Sequence, residues 1–225
     1  MIGVFDSGVG GICAYKHLQG ALPTSDIVYL ADRKNAPYGT KTEDEILLFT
    51  KNNIRLLSDL GCEAILIACC SASTVYQRLT DEEREISLPI ITPSARIAAE
   101  GGRRITVIAT RHTASSGAFK REIAKFSDAF VTEMCEQPLV TYVESGNRDG
   151  RLSVECGDYL SAMAERIKES EADSLILGCT HFSHLEYEIG RLLPNVKIIS
   201  PARVGAEELI KTINNRRENG KITYI

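Results

Sequence analysis

Two stretches of this chain end in the same way. Glu63-Ala64-Ile65-Leu66-Ile67-Ala68 is an apolar run that stops at Cys69-Cys70-Ser71-Ala72-Ser73-Thr74, and 110 positions later Ser174-Leu175-Ile176-Leu177-Gly178 stops at Cys179-Thr180-His181. Short apolar runs without polar alternation are how parallel strands covered on both faces read. Ligands of an open α/β sheet sit beyond the carboxyl ends of its strands, so small nucleophilic side chains gathered there are placed for chemistry. A chain that writes this unit twice is constrained to two like halves.

The rest of the sequence follows the same duplication. Ile2-Gly3-Val4-Phe5 and the turn Asp6-Ser7-Gly8-Val9-Gly10-Gly11 lead to a helix beginning near Ile12, and Ile105 to Ala109, Thr110 to Thr113 and a further helix repeat that layout. Second strands are expected at Ile27 to Asp32 and Ala129 to Met134. Pro89-Ile90-Ile91-Thr92-Pro93 matches Lys197-Ile198-Ile199-Ser200-Pro201 at an offset of 108, each followed by an alanine-rich helix containing arginine. The expected fold is therefore α/β, with two pseudo-symmetric α/β domains, mainly parallel sheets, and an active site in the cleft between them. The crossing is placed near Pro93. Residues 1–92 plus about 204–225 form the first domain, 93–203 the second, and the last helix, Arg203 to Arg216, returns to the first half. In the first half, Thr42 with Glu45 reads as a capping box, Ile46, Phe49, Leu57 and Leu60 keep helical spacing, and Gly61 supplies the stop. Asn35-Ala36-Pro37-Tyr38-Gly39-Thr40 is too rich in proline and glycine to be regular, and it lies where a loop reaches a ligand.

Composition removes several classes of function. At 225 residues with a net charge of −4 and a pI near 5.7, the chain offers no basic field to nucleic acid or to an anionic membrane surface. Its apolar runs are too short to span a bilayer, and Met1 leads directly into a strand with no charged leader. Seven cysteines (13, 62, 69, 70, 135, 156, 179) are an odd number with no Cys-x-x-Cys pair. The expectation is reduced thiols in a cytoplasmic protein, with Cys13, Cys62, Cys135 and Cys156 as small buried hydrophobes. The histidines at 17, 112, 181 and 184 lack the spacing of a zinc site, so no metal is expected. Gly8-x-Gly10 with Asp32 partly imitates a dinucleotide-binding fingerprint, but the third glycine would fall on Cys13 and there is no P-loop. No cofactor is expected.

Both cysteines at the strand ends point to acid–base chemistry. A free thiol has a pKa of about 8.5, so a working one needs a polar helper or a helix N-terminus beside it. Cys69 and Cys179 each stand at a strand-to-helix junction, where helix N–H groups favour negative charge. Asp6, ending the neighbouring strand, is placed to orient or relay protons for Cys69, and His181 for Cys179. Two thiols facing one another across a cleft can take a proton from one face of a carbon and deliver one to the other, which is racemisation without a cofactor.

Five motifs in order, Gly3-Val4-Phe5-Asp6-Ser7-Gly8-Val9-Gly10-Gly11, Pro37-Tyr38-Gly39-Thr40-Lys41, Ala68-Cys69, Val143-Glu144-Ser145-Gly146 and Leu177-Gly178-Cys179-Thr180-His181, resemble those of the glutamate racemases, within the aspartate/glutamate racemase superfamily. The resemblance covers nearly the whole chain. It implies that Cys69 serves the D-enantiomer and Cys179 the L-enantiomer, assisted by Asp6, Glu144 and His181. It implies further that Ser7, Pro37, Tyr38, Gly39, Ser71 and Thr180 hold the amino acid, alongside Asp6, Cys70 and His181. The expected partner is a small amino-acid substrate, with no nucleic acid and no membrane, and a homodimer is left open. The product D-glutamate would enter peptidoglycan, and so cell-wall biogenesis and cell shape.

Three departures bear on the substrate. The family's Ala-Cys-Asn-Thr-Ala is Ala68-Cys69-Cys70-Ser71-Ala72 here, Asn35 stands where an arginine is usual, and Phe182-Ser183 replaces Tyr-Pro. A thiol makes only weak hydrogen bonds where an amide both donates and accepts, so Cys70 should weaken the hold on glutamate unless water or a neighbouring side chain takes over. A racemase of another acidic or related amino acid, and a catalytically silent relative that binds an acidic ligand, are the alternatives.

Overall fold

The two apolar repeats are inner strands of two four-stranded parallel sheets. The structure, a computed structural model, describes residues 1–148 and 150–218. The first sheet contains β1 (Ile2–Asp6), β2 (Ile27–Ala31), β3 (Ala64–Ile67) and β4 (Ser87–Pro89) in the order β2-β1-β3-β4. The second contains β5 (Arg104–Ala109), β6 (Phe130–Cys135), β7 (Ser174–Gly178) and β8 (Lys197–Ile199) in the order β6-β5-β7-β8. The two orders are the same permutation. In each, the chain goes to one side of its first strand and then returns to the other, so the topological switch points lie between β1 and β3 and between β5 and β7.

Side chains alternate across these strands with period two, and the alternation divides the core. Val4 and Leu66 face a central cluster that also takes Ile105, Val107, Ala109 and Ile176 from the second sheet, so the two halves share one core. Helices α1 (Ile12–Ala21), α5 (Ile91–Ala99) and α11 (Pro201–Glu218) pack within it. On the outer face of the first sheet, Phe5, Ile65 and Ile67 meet Ile46, Ile54 and Leu57 of α2 (Glu43–Asp59). On the outer face of the second, Ile108, Leu175 and Leu177 meet α8 (Pro138–Glu144), α9 (Val154–Glu169) and α10 (Glu186–Leu192). The remaining helices are short: α3 (Cys70–Ser73), α4 (Asp81–Ile86), α6 (Arg111–Ser116) and α7 (Ala118–Ile123). No helix among the described residues is long and apolar enough to cross a membrane.

Helix α2 begins as its sequence requires. The Thr42 hydroxyl accepts from Glu45 N–H, the Glu45 carboxylate accepts from Thr42 N–H, and Glu43, Asp44 and Glu45 place negative charge against the helix dipole. The chain leaves α2 through Gly61 at φ +87°. Its buried face is Ile46, Thr50, Asn53, Ile54 and Leu57, so Leu60, expected on that face, is instead exposed. Helix α11 packs on α1, β3 and β4 of the first half as well as on α5. The part of the expected first domain at 219–225 lies outside the described residues.

Two further expectations are corrected. The 108-residue match between 89–93 and 197–201 is not a structural equivalence: Leu88 lies opposite Leu66, whereas Ile199 lies opposite Ile176. Aligned on the two cysteines, the fourth strands are therefore 111 positions apart (199 − 88), and Ile91 already belongs to a helix. Among the cysteines, Cys62 and Cys156 are buried, but Cys13 is half-buried and Cys135 is exposed at the end of edge strand β6.

Candidate active site

Each switch point delivers one thiol. Cys69 leaves β3 with extended backbone, and its carbonyl accepts from Ser73 N–H at 2.9 Å to open α3. Cys179 leaves β7 likewise, and its carbonyl accepts from Phe182 N–H at 3.0 Å in the 3₁₀ turn Thr180–Leu185. Both side chains are nearly closed off, 5% and 7% exposed, and both line the same cavity between the sheets. Ser7, Pro37, Tyr38, Gly39, Cys70, Ser71, Thr180 and His181 line it as well. It is narrow: of about 300 Å³ including the mouth, only about 20 Å³ admits the centre of a water-sized sphere.

The two thiols have different surroundings. Burial pushes the Cys69 thiol well up, and the charges of Asp6 and Cys179 add to this, against the N–H groups of Ala72 and Ser7. Its sulfur lies 3.8 Å from Ser7 Oγ. Beside Cys179, His181 Nδ1 is 3.8 Å from the sulfur, and His181 Nε2 is 2.6 Å from Glu144 Oε1. Burial opposes a charge on His181, but the hydrogen bond and charge of Cys179, the charge of Asp6 and the bond to Glu144 prevail, and its pKa is pushed up to about 10. Burial thus disfavours a charge on Cys69, whereas the surroundings of His181 favour one.

Asp6 is fully buried and does not line the cavity. Its Oδ2 accepts from Gly11 N–H at 2.9 Å and Gly8 N–H at 3.4 Å, and its Oδ1 accepts from the Thr180 hydroxyl at 3.4 Å. Among the described residues no hydrogen bond joins it to Cys69, on which it acts through its charge. The glycines of this turn have a steric purpose: a Cβ on Gly10 would lie 2.6 Å from Thr180 Oγ1 and 2.7 Å from His181 N. The pattern that imitates a nucleotide loop is here the surface on which the second half rests.

The Pro37–Gly39 loop is held from behind. Tyr38 is fully buried, donates to Asp32 Oδ2 at 2.5 Å and accepts from Asn53 Nδ2 at 2.9 Å, while Asn35 Nδ2 donates to both Asp32 oxygens. Across the cleft, Ser71 Oγ is 3.2 Å from Thr110 Oγ1 and 3.0 Å from Thr113 Oγ1. Cys70 is buried, and desolvation holds its thiol neutral. Glu144 stands behind His181 and, like Asp6, does not line the cavity.

Three lining residues fall outside the sequence candidates: Thr110, Gln137 and Val140. Thr110 carried a signal, since it follows β5 as Ser7 follows β1. Gln137 and Val140 carried none, because they come after an edge strand whose residues are only partly buried. No group of three or more His, Cys, Asp or Glu among the described residues is arranged to hold a metal ion.

Residues 15–209 match the family model described as Asp/Glu/Hydantoin racemase. A glutamate racemase from Clostridium novyi is 34% identical over 216 residues, which are 93% of this chain and 82% of that protein. One from Aquifex aeolicus is 33% identical over 221 residues, 95% and 84% of the two. Among solved structures, glutamate racemase from Francisella tularensis in complex with D-glutamate matches with a TM-score of 0.85 and 29% identity over 100% of this chain and 83% of that one.

Proposed function

The chain belongs to the Asp/Glu/hydantoin racemase family, and from that premise we propose that it interconverts L- and D-glutamate without a cofactor, with Cys69 and Cys179 as its two acid–base groups. One observation carries this reading: two thiols at like positions of two switch points share a single cavity. With L-glutamate bound, Cys179 as thiolate takes the Cα proton, and the Cys69 thiol delivers its own to the opposite face. The imidazolium of His181, held by Glu144, favours the thiolate form of its neighbour. Turnover of D-glutamate runs the same steps in reverse, with Cys69 as the base. Ser7, Ser71, Thr180 and the Pro37–Gly39 loop would hold the amino acid, and Asp6 would fix the turn and Thr180.

The wider setting is proposed on the same footing. The seven free thiols suit a reducing, cytoplasmic location. The family resemblance supports peptidoglycan as the destination of D-glutamate and leaves a homodimer open, and the duplicated pattern supports domains at 1–92 plus about 204–225 and at 93–203. Cys70 favours a second reading, a racemase for another acidic amino acid.

Circular dichroism on a panel of L- and D-amino acids tests both. Glutamate of either hand should lose its signal to zero, faster than any other member of the panel. A static glutamate signal beside a decaying one for another amino acid would select the second reading, and a static panel would overturn racemisation altogether.

A further inference from the structure

The carboxamide missing at Cys70 has a neighbour of the right chemistry. Gln137 is the one carboxamide among the described residues that line the cavity. It follows β6, where Glu136 N–H continues the sheet to Ala109 O at 2.8 Å and the buried Glu136 carboxylate accepts from Tyr159 and Arg166 at 2.6 and 2.7 Å. Pro138, the first residue of α8, restrains it on the other side. The backbone at Gln137 is therefore fixed.

Its amide is oriented as well. Arg111 N–H lies 3.1 Å from the carboxamide, and a backbone N–H can only donate, so the atom facing it is Oε1. The Nε2 group is left with two hydrogens and no acceptor among the described residues. Around it, the Ser71 hydroxyl is engaged with Thr110 and Thr113, and the Cys70 thiol is a weak donor. The narrow cavity holds no lysine or arginine in its lining. A carboxylate there depends on neutral donors and His181.

We propose that Gln137 Nε2 donates a hydrogen bond to a substrate carboxylate and so replaces, from the second half of the molecule, the amide that Cys70 cannot supply. The inference rests on the racemase reading and names a specificity-determining residue within it. It also selects one of the alternatives left open by the sequence: a neighbouring side chain fills the role.

The test uses the parent, Gln137→Leu, Cys70→Asn and the double variant, assayed on L- and D-glutamate. Gln137→Leu should lower kcat/KM about ten- to a hundredfold, mainly through KM, as expected for losing one hydrogen bond to a charged group. Cys70→Asn should raise kcat/KM far more in the Gln137→Leu background, where it restores most of that loss, than in the parent. Gln137→Glu separates binding from structure: it keeps the acceptor for Arg111 N–H, so the melting temperature should hold, but it sets carboxylate against carboxylate and should raise KM at least as much as leucine does. Normal KM in Gln137→Glu or Gln137→Leu, or equal gains from Cys70→Asn in both backgrounds, would overturn the proposal. If the panel assigns another amino acid, the same proteins are assayed on it, so a wrong substrate and a wrong residue give separate results.

Discussion

A thiol and an imidazole 3.8 Å apart behave differently from either alone, and His181 is where this site departs furthest from ordinary side chains. Its pKa rises from 6.5 to about 10, so the folded state holds the proton more tightly than the unfolded chain does. The sign follows by linkage: the stability this adds is fully present below pH 6.5 and is lost as pH climbs toward 10. Replacing His181 by Asn should therefore destabilise most at acid to neutral pH. Denaturation midpoints of parent and variant should converge as pH approaches 10, and a gap that widened instead would refute the assignment. Activity should fall about a hundredfold or more, the scale of lost acid–base assistance, and equally in both directions because enantiomers have equal free energy. Sequence reading reaches such residues when they immediately follow an inner strand, as Cys69, Cys179 and His181 do. It does not reach Gln137, which a tertiary contact with Arg111 turns toward the cavity.

Among the elements, the turn between β1 and α1 does the most to join the halves. Asp6 ties its N–H groups from one side, and Gly10 lies so close to Thr180 and His181 that any side chain would displace them. Gly10→Ala should cost about 1 to 3 kcal/mol in stability. It should lower kcat/KM by about a hundredfold, because a misplacement of roughly 1 Å at the reacting groups is enough for that. Near-parental kinetics in a folded Gly10→Ala protein would mean that this turn does not position the site. Strands, caps and the helix stop at Gly61 were legible because each rests on a local pattern. The slip at the fourth strands was not: Ile91 and Ile199 share a local sequence but hold different places, since Ile91 opens α5 and Ile199 closes β8. Leu60 was misplaced for a different reason: it is the C-cap of α2, beyond Leu57, the last buried residue of that helix.

At the level of the whole molecule, the duplicated pattern does two things at once. It builds two sheets with identical strand order, and it turns one face of each toward a common core, so both switch points open on the same narrow space. The duplication was legible from the two apolar runs, whereas the shared core was not, because an inner strand looks the same whichever layer covers it. A space of about 20 Å³ for water-sized centres accommodates about one water. On the proposed mechanism, each thiol would serve one face of Cα. The most direct test is a single turnover of L-glutamate by excess enzyme in deuterated water, followed by mass analysis of both enantiomers. If Cys179 removes the proton and Cys69 supplies another, the first D-glutamate formed carries deuterium at Cα and the remaining L-glutamate carries none. Equal early labelling of both enantiomers would mean that one base serves both faces, and would contradict the account.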